Sequence, residues 1–192
     1  MMKKLNKKGF TLVELLATVV ILSLVTGVAV PVTTNIVANS KYRSLSSIVD
    51  EAENFLSDQW RVHKISPDTI NDAFDDAMGD SYYEDVKKSL FTSIDAHKRK
   101  YPGDNPTQEI IDREIKLLQE MGMSTEDVAH VDMFVDDKGI GCVIIRTIPI
   151  TSKLYNSKYW TDTGDGFAVP SSLNGNERYF SKCCTLDQRN DN

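Results

Sequence analysis

The chain has 192 residues, of which 41% are hydrophobic, and its formal net charge is −6. This length suits one domain with an additional helix, and the apolar content suffices for a folded core. Binding to phosphates requires clustered lysine and arginine, so the acidic balance argues against a general nucleic-acid-binding protein. The sequence has no nucleophile elbow, phosphate-binding loop, paired catalytic carboxylates or HExxH motif. It therefore predicts no enzyme, no cofactor and no dedicated metal site.

A long apolar segment, residues 10–30, follows four lysines near the N-terminus, and Glu14 is its only charged residue. As a helix, this segment would be about 31 Å long, enough to cross a bilayer core of about 30 Å. The preceding lysines predict a cytoplasmic N-terminus, so the rest of the chain would be extracytoplasmic. A carboxylate inside such a helix costs roughly 2.5–3.5 kcal/mol on insertion, so Glu14 is expected to have a partner.

The sequence GFTLVELL at residues 9–16, after a lysine-rich leader, resembles the signature of type IV pilins and of pilin-like proteins in secretion and DNA-uptake machines. The close resemblance covers residues 1 to about 31. It implies that a prepilin peptidase removes the leader, residues 1–9, by cutting after Gly9, and that the new N-terminal residue, Phe10, is methylated. It also implies that Glu14 pairs with the terminal amine of a neighbouring subunit in a filament.

Elementary electrostatics favours this interpretation of Glu14. Cleavage after Gly9 creates an ammonium group on Phe10, at the end of a helix that its dipole already makes positive. Glu14 lies one turn further along. In a bundle of low dielectric the two charges would stabilise each other, and a slip between subunits would leave both unmatched. The pair would therefore fix the axial register of the filament.

Two simpler interpretations of the segment stay open. The small residues Gly27 and Ala29 suit signal peptidase, but the apolar run exceeds the 7–15 residues typical of a secretory signal peptide. A plain single-span anchor is the other interpretation, and the buried charge of Glu14 counts against both.

The first helix is predicted over residues 10–64. Pro31, just past the apolar segment, is expected to kink it, because proline removes one backbone hydrogen bond. Apolar residues beyond it recur at three- and four-residue steps and predict a stripe that packs under a head domain. The stripe is Leu45, Ile48, Val49, Ala52, Phe55, Leu56 and Trp60, and the polar residues assigned to the opposite face are Ser46, Asp50, Glu53 and Asp58.

The head is predicted over residues 65–192, and its two parts differ in pattern. Residues 65–130 are predicted to be mostly helical, with helices starting at Ser66, over 82–99, and from Asn105 to Met121. Strands are predicted only from Val131 onward: a hairpin over 131–148, an irregular stretch over 154–167 and a last strand over 177–186. The fold class is α+β, similar to type IV pilins, with an unusually large helical region between the long helix and an antiparallel sheet.

Three cysteines lie in the last third of the chain: Cys142, Cys183 and Cys184. An extracytoplasmic head permits a disulfide between Cys142 and one of the other two, worth about 3–4 kcal/mol in the chain-entropy model. Free thiols, and a metal site completed by a histidine (His63, His97 or His130), are the alternatives. Calcium binding at residues 162–166 is a weaker prediction than a glycine-rich turn, because the later acidic ligand is missing. The cations of residues 97–100 are expected to stabilise a helix C-terminus.

The preferred function is that of a structural subunit, major or minor, of a type IV pilus. The precursor would cross the cytoplasmic membrane once, and processed subunits would polymerise with other pilin subunits into a surface filament. Its partners would be the prepilin peptidase, the pilus assembly platform and the membrane, with no nucleic acid. Adhesion, twitching motility or biofilm formation would be the role of the filament. The alternatives are a pseudopilin of a type II secretion or competence machine, and a membrane-anchored binding domain that does not polymerise.

Overall fold

The structure is a computed structural model that describes residues 10–66, 88–136, 138–173, 176–177 and 180–186, without the side chains of residues 28–32 and 172–177. Two compact units divide between Ser40 and Lys41, and each is described by itself. The architecture is α+β, as predicted, with a long N-terminal helix and an antiparallel sheet.

Helix α1 comprises Leu12–Ile65, and its residues from Lys41 onward belong to the second unit. The predicted apolar stripe is confirmed there, because its members are buried or partly buried. The fully buried ones are Leu45, Val49, Ala52, Leu56 and Trp60. They form one hydrophobic cluster with inward-facing sheet residues, including Val131, Met133, Val143 and Ile145. Each such side chain contributes about 1.5–3 kcal/mol to folding through removal from water.

One residue assigned to the solvent face of this helix is buried. Glu53 is only 3% exposed, and its Oε2 lies 2.6 Å from Nζ of Lys182. The same ammonium group contacts Oδ1 of Asp50 at 2.7 Å. The prediction was wrong because a lysine from the last strand reaches the helix and supplies the counter-charge that makes burial of a carboxylate tolerable.

The strands of the sheet are β1 (Lys88–Phe91), β2 (His130–Val135), β3 (Ile140–Pro149), β4 (Trp160–Asp162), β5 (Phe167–Pro170) and β8 (Phe180–Thr185). They are antiparallel and lie in the order β1-β2-β3-β5-β4, and β8 also pairs with β3. A separate pair joins β6 (Ser172–Leu173) to β7 (Asn176–Glu177). The predicted hairpin is confirmed as β2 and β3, and the predicted last strand as β8.

Strand β1 corrects the predicted helix over 82–99 at residues 88–91, whereas residues 94–99 are helical as predicted and residues 82–87 lie outside the described part of the chain. Leu90 and Phe91 are both buried because adjacent residues of a strand face opposite sides of the sheet. Leu90 joins the cluster that contains α1, and Phe91 joins a second cluster with Ala96, Ile111 and Ala129. A helical pattern was predicted because Leu90 and Ile94 are four residues apart. The same observation corrects the expectation that strands begin only at Val131.

Two helices contribute one buried residue each to the Phe91 cluster, Ala96 and Ile111, and the second also contributes Leu117 and Leu118 to the cluster that contains α1. Helix α2 (Ile94–Lys100) begins at Ser93, whose hydroxyl accepts a hydrogen bond from the Ala96 N–H at 3.1 Å. The cations of residues 97–100 lie in its last turn, as predicted. Helix α3 (Gln108–Glu120) confirms the predicted helix that ends at Met121. The helix predicted to start at Ser66 lies outside the described residues.

The stretch predicted to be irregular contains a hairpin of β4 and β5. Trp160 pairs with Pro170, and its side chain is 1% exposed. Its ring stacks on Phe180 of β8 with centroids 4.8 Å apart. These short strands were not predicted, because three- and four-residue strands carry too few alternations to be distinguished from loops.

Candidate functional site

The start of α1 is held by a reciprocal set of hydrogen bonds between Thr11 and Glu14. Oε2 of Glu14 accepts from the Thr11 backbone N–H at 2.9 Å and from its hydroxyl at 2.8 Å. In return, the Glu14 N–H donates to Oγ1 of Thr11 at 3.3 Å. This is a capping box, which satisfies backbone donors that the first turn leaves without helical partners. Glu14 therefore already has intrachain partners, which the sequence argument did not include.

Three further hydroxyls of the first unit bond to their own helix. Thr18 donates to the Leu15 carbonyl at 2.8 Å, and Ser23 donates to the Val19 carbonyl at 2.7 Å. Thr26 donates to the Leu22 carbonyl at 2.9 Å. Such bonds remove the cost of placing a hydroxyl in an apolar environment. These hydroxyl groups therefore do not need hydrogen-bond partners on a neighbouring helix.

The apolar side chains around these hydroxyls are exposed. Phe10 is 82% exposed, and the large apolar residues that follow are at least half exposed: Leu12, Val13, Leu15, Leu16, Val19, Val20, Ile21, Leu22, Leu24 and Val25. A contiguous apolar surface of this kind marks a site of contact with protein or lipid, because water is a poor environment for it.

Among the described residues, no helix is both long enough and apolar enough to cross a membrane.

Of the other predicted N-terminal site residues, Gly9 lies outside the described part of the chain. Phe10 directly precedes the capped first turn. Pro31 lies inside the continuous helix α1, but its side chain is not described, so the kink stays a prediction.

The cysteines of the head form one disulfide, between Cys142 of β3 and Cys183 of β8. The two residues are directly opposite each other in the register of the two strands. Cys184 lies outside this bond and is half-buried. The bond removes two of the three thiolates that the alternative metal site would have used.

The aspartates of residues 162–166 form a hydrogen-bonded turn. Oδ1 of Asp162 accepts from the Gly164 N–H at 2.8 Å. Asp165 accepts a hydrogen bond from the Thr163 hydroxyl and pairs with Nε of Arg99 at 2.8 Å. The Thr163 bond and the Arg99 pair both lower the pKa of Asp165. Within the described residues, no group of three His, Cys, Asp or Glu side chains is arranged to hold a metal ion.

A polar cluster, which the sequence did not predict, surrounds the buried side chain of Asp132 on β2. We call it the Asp132 cluster; its members are Ser89, Lys100, His130, Asp132 and Arg146. Oδ1 of Asp132 accepts from Ser89 Oγ at 2.7 Å and Lys100 Nζ at 3.1 Å, and lies 2.8 Å from His130 Nε2. Oδ2 accepts from Arg146 Nε at 2.7 Å. The cluster joins β1, β2, β3 and α2.

The electrostatics of the Asp132 cluster follow from burial and pairing. Burial alone would raise the pKa of Asp132, but the bonds from His130, Ser89 and Arg146 hold it well below its ordinary value. Burial lowers the pKa of His130, and the hydrogen bond to Asp132 only partly offsets this effect. We therefore assign a neutral His130 at pH 7, donating from Nε2 to an ionised Asp132.

The sequence carried one signal for this cluster. The apolar residues Val131, Met133 and Val135 face one side of β2, so His130 and Asp132 had to lie on the other side of a strand with neighbours on both edges. Ionisable groups are rarely buried there without partners. The partners themselves are distant in sequence and could not be identified from it.

Comparison with known proteins concerns the N-terminal segment. Residues 4–30 match the family model of the prokaryotic N-terminal methylation motif. The chain therefore carries the signature of type IV prepilin-like proteins, and the matched range includes Gly9, Phe10 and Glu14. No curated protein and no solved structure matches the chain significantly.

The motif supports a type IV pilin-like protein, of a pilus or a pseudopilus, and does not distinguish these roles. It implies a membrane-anchored precursor, processing by prepilin peptidase and assembly with other pilin subunits into a surface filament. Its family is structural rather than catalytic.

Proposed function

We propose that the chain is a structural subunit, major or minor, of a type IV pilus. Prepilin peptidase cleaves after Gly9, Phe10 is methylated, and the processed subunit polymerises through its apolar N-terminal helix. The head is displayed on the filament and serves adhesion, motility or biofilm formation. The observation that carries the proposal is the methylation motif at residues 4–30, within which a helix begins and presents an exposed apolar surface.

The hydrogen bonding of the helix supports assembly with other helices. Because the hydroxyls of Thr18, Ser23 and Thr26 donate to carbonyls of their own helix, two such segments can pack side by side without leaving these donors unpaired. The polar exception is Glu14, whose bonds within the described residues use Oε2. Its second carboxylate oxygen is the atom best suited to accept from the amine of a neighbouring subunit.

Removal of the leader acts as the trigger in this mechanism. Before cleavage, the nitrogen of Phe10 belongs to a peptide bond and carries no charge. After cleavage it is an ammonium group, and a carboxylate with an intermolecular ammonium partner is much better accommodated in an apolar bundle. The Thr11 bonds hold Glu14 at the end of the helix, so the carboxylate is already placed when the amine appears.

Mass spectrometry of surface-sheared filaments tests the processing step. We expect a chain that begins at Phe10 and carries one methyl group. Recovery of chains that retain residues 1–9 in filaments would refute it. A correctly processed chain found only in short periplasmic or membrane-bound fibres would favour the pseudopilin.

The assembly step is tested by Glu14→Ala, with Ser23→Ala as the matched control. Both variants remove one polar side chain from the same helix, but Ser23 bonds only to its own helix. We expect both chains in the membrane fraction, with Glu14→Ala absent from sheared filaments and Ser23→Ala present. Normal incorporation of Glu14→Ala would contradict the proposed role of the carboxylate. Absence of filaments from the wild-type chain and both variants would favour the membrane-anchored binding domain.

A further inference from the structure

The Asp132 cluster is the element that links helix α2 most directly to the interior of the sheet. Lys100, the last residue of α2, donates to both Asp132 at 3.1 Å and Ser89 at 2.8 Å. Asp132 is 1% exposed, so its charge depends on these donors rather than on water. A change in the charge balance of the cluster therefore acts on the attachment of α2.

His130 is the member of the cluster whose ordinary pKa, 6.5, lies nearest to neutral pH. Its ring stacks on Phe91 with centroids 4.5 Å apart and planes inclined by 15°. Phe91 in turn contacts the ring of His97 on α2, at 4.6 Å between centroids. His130 thus contacts both groups through which α2 is attached to the sheet, the carboxylate of Asp132 and the ring of Phe91.

A proton on His130 would add a third cation to this site. The single carboxylate of Asp132 already faces two cations, the ammonium of Lys100 and the guanidinium of Arg146. A cation on His130, 2.8 Å from Oδ1 of Asp132, would be attracted by one carboxylate and repelled by these two partly exposed cations, and the ring that carries it is buried.

We propose that protonation of His130 weakens the Asp132 cluster and loosens helix α2 from the sheet in mildly acidic conditions. The segment 94–104, which comprises α2 and the turn after it, then opens more often. The device is independent of filament assembly and belongs to the folded head alone.

The other charged groups around His130 fit this direction. Lys100 of α2 and Arg146 of β3 act on His130 directly, whereas Lys88 of β1 and His97 of α2 act on Glu114 of α3. Glu114 accepts from the Phe91 N–H at 3.2 Å, and burial raises its pKa, so added acid neutralises it and favours the attachment of α3. Protonation of Glu114 therefore counteracts any loosening of α3, so the loosening caused by His130 is confined to α2.

His97 provides the matched control. Its Nε2 lies 3.2 Å from Oδ2 of Asp104, an exposed carboxylate. A proton on His97 adds a charge opposite an acid that is otherwise solvated, and no cation shares that contact among the described atoms. The two histidines touch the same phenyl ring, yet only His130 faces the crowded carboxylate.

Hydrogen exchange of the full chain in detergent tests the proposal. The wild type, His130→Gln and His97→Gln are labelled at pH 7.5 and 5.5, with labelling times scaled for the intrinsic pH dependence of exchange. Glutamine retains an N–H donor for Asp132 and does not titrate. In the wild type and His97→Gln, we expect protection of peptides within 94–104 to fall between the two pH values. One linked proton limits this fall to about tenfold per pH unit.

In His130→Gln the protection of the same peptides is expected to stay constant. Constant protection in the wild type, an undiminished fall in His130→Gln, or loss of the effect in His97→Gln would each overturn the proposal. If His130→Gln does not fold, NMR titration of the wild type decides: opening of α2 has to follow the titration of the His130 ring protons. Opening that follows His97, or no titration at all, refutes it.

Discussion

The contact between the β2–β3 turn and α1 gives the sharpest test of how the head packs on the long helix. Gly139 has φ of +75°, and an added Cβ would lie 2.8 Å from Cζ2 of Trp60. Trp60 is 6% exposed, and its ring is rigid, so it has little room to move. Gly139→Ala therefore introduces both backbone strain and a steric overlap at the same place.

The magnitude is the sum of these two costs. A left-handed conformation costs a residue with a Cβ about 1–2 kcal/mol. Overpacking against a rigid core side chain typically costs about 1–3 kcal/mol. We expect Gly139→Ala to lower the free energy of unfolding by about 2–5 kcal/mol.

The matched control is Gly164→Ala, since Gly164 has φ of +81° and its added Cβ meets nothing within 4 Å. This variant carries the backbone cost alone, about 1–2 kcal/mol. The chain has two tryptophans, Trp60 and Trp160, and both are buried in the second unit. Their fluorescence during urea unfolding of the full chain in detergent therefore reports the unfolding of this unit.

Equal losses in Gly139→Ala and Gly164→Ala would refute the described contact. A double-mutant cycle with Trp60→Leu refines the test, because removal of the indole should reduce the cost of Gly139→Ala to that of the backbone alone. A cycle that shows no coupling would mean that the turn and the helix do not touch in solution.

Three further predictions use the same unfolding assay. Cys142→Ala should lower the free energy of unfolding by about 3–4 kcal/mol, since the disulfide closes a loop with a sequence separation of 41. The control, Cys184→Ala, should change this free energy by less than about 1.5 kcal/mol. Similar losses in the two variants would mean that the disulfide does not join Cys142 to Cys183. Asp132→Asn should cost about 1–3 kcal/mol because it removes the buried carboxylate that accepts from the partly exposed Lys100 and Arg146, and a neutral result would show that water satisfies these donors instead. Glu114→Gln should raise stability at pH 7, because burial raises the pKa of Glu114 above 4.5 and its ionisation then costs free energy; the gain should vanish below pH 4.5, and a gain at every pH would contradict this reason.

The parts of the fold that the sequence predicted are those with a local pattern. The stripe from Leu45 to Trp60 repeats at helical spacing over four turns, and the helix that contains it packs as predicted. The β2–β3 hairpin is marked by alternation on both sides of a turn. In both cases, residues close in sequence determine which face is buried.

Strand β1 could not be predicted in this way. It has four residues, and its two buried members face different clusters, so neither strand alternation nor a helical stripe describes it. Its position depends on pairing with β2, about forty residues later in the chain, as in the register Leu90 to Val131. Long-range pairing of this kind outweighs local propensity.

At the candidate site, the sequence predicted the residues better than their contacts. The motif identifies Phe10 and Glu14, but the hydrogen bonds between Thr11 and Glu14 change the physical argument. A carboxylate that accepts two bonds within its own helix is less costly in an apolar setting than a bare one. Glu14 therefore needs an intermolecular partner less strongly than the insertion cost suggested. The direction of its second carboxylate oxygen is then more important for pairing with a neighbouring subunit.

Comparison of Glu14 with Asp132 shows what distinguishes a group that stabilises one chain from one that can join two. Both oxygens of Asp132 accept bonds from its own chain, and its side chain is buried, so no capacity is left for a second molecule. Within the described residues, the bonds to Glu14 converge on one oxygen at the exposed end of a helix. Thr11 holds this carboxylate in position, and the second carboxylate oxygen can still accept a hydrogen bond. Under the proposed function, a subunit that stays separate before cleavage and joins a neighbour afterwards would use this property, and both the Thr11 hydroxyl and the Glu14 carboxylate lie within the matched motif.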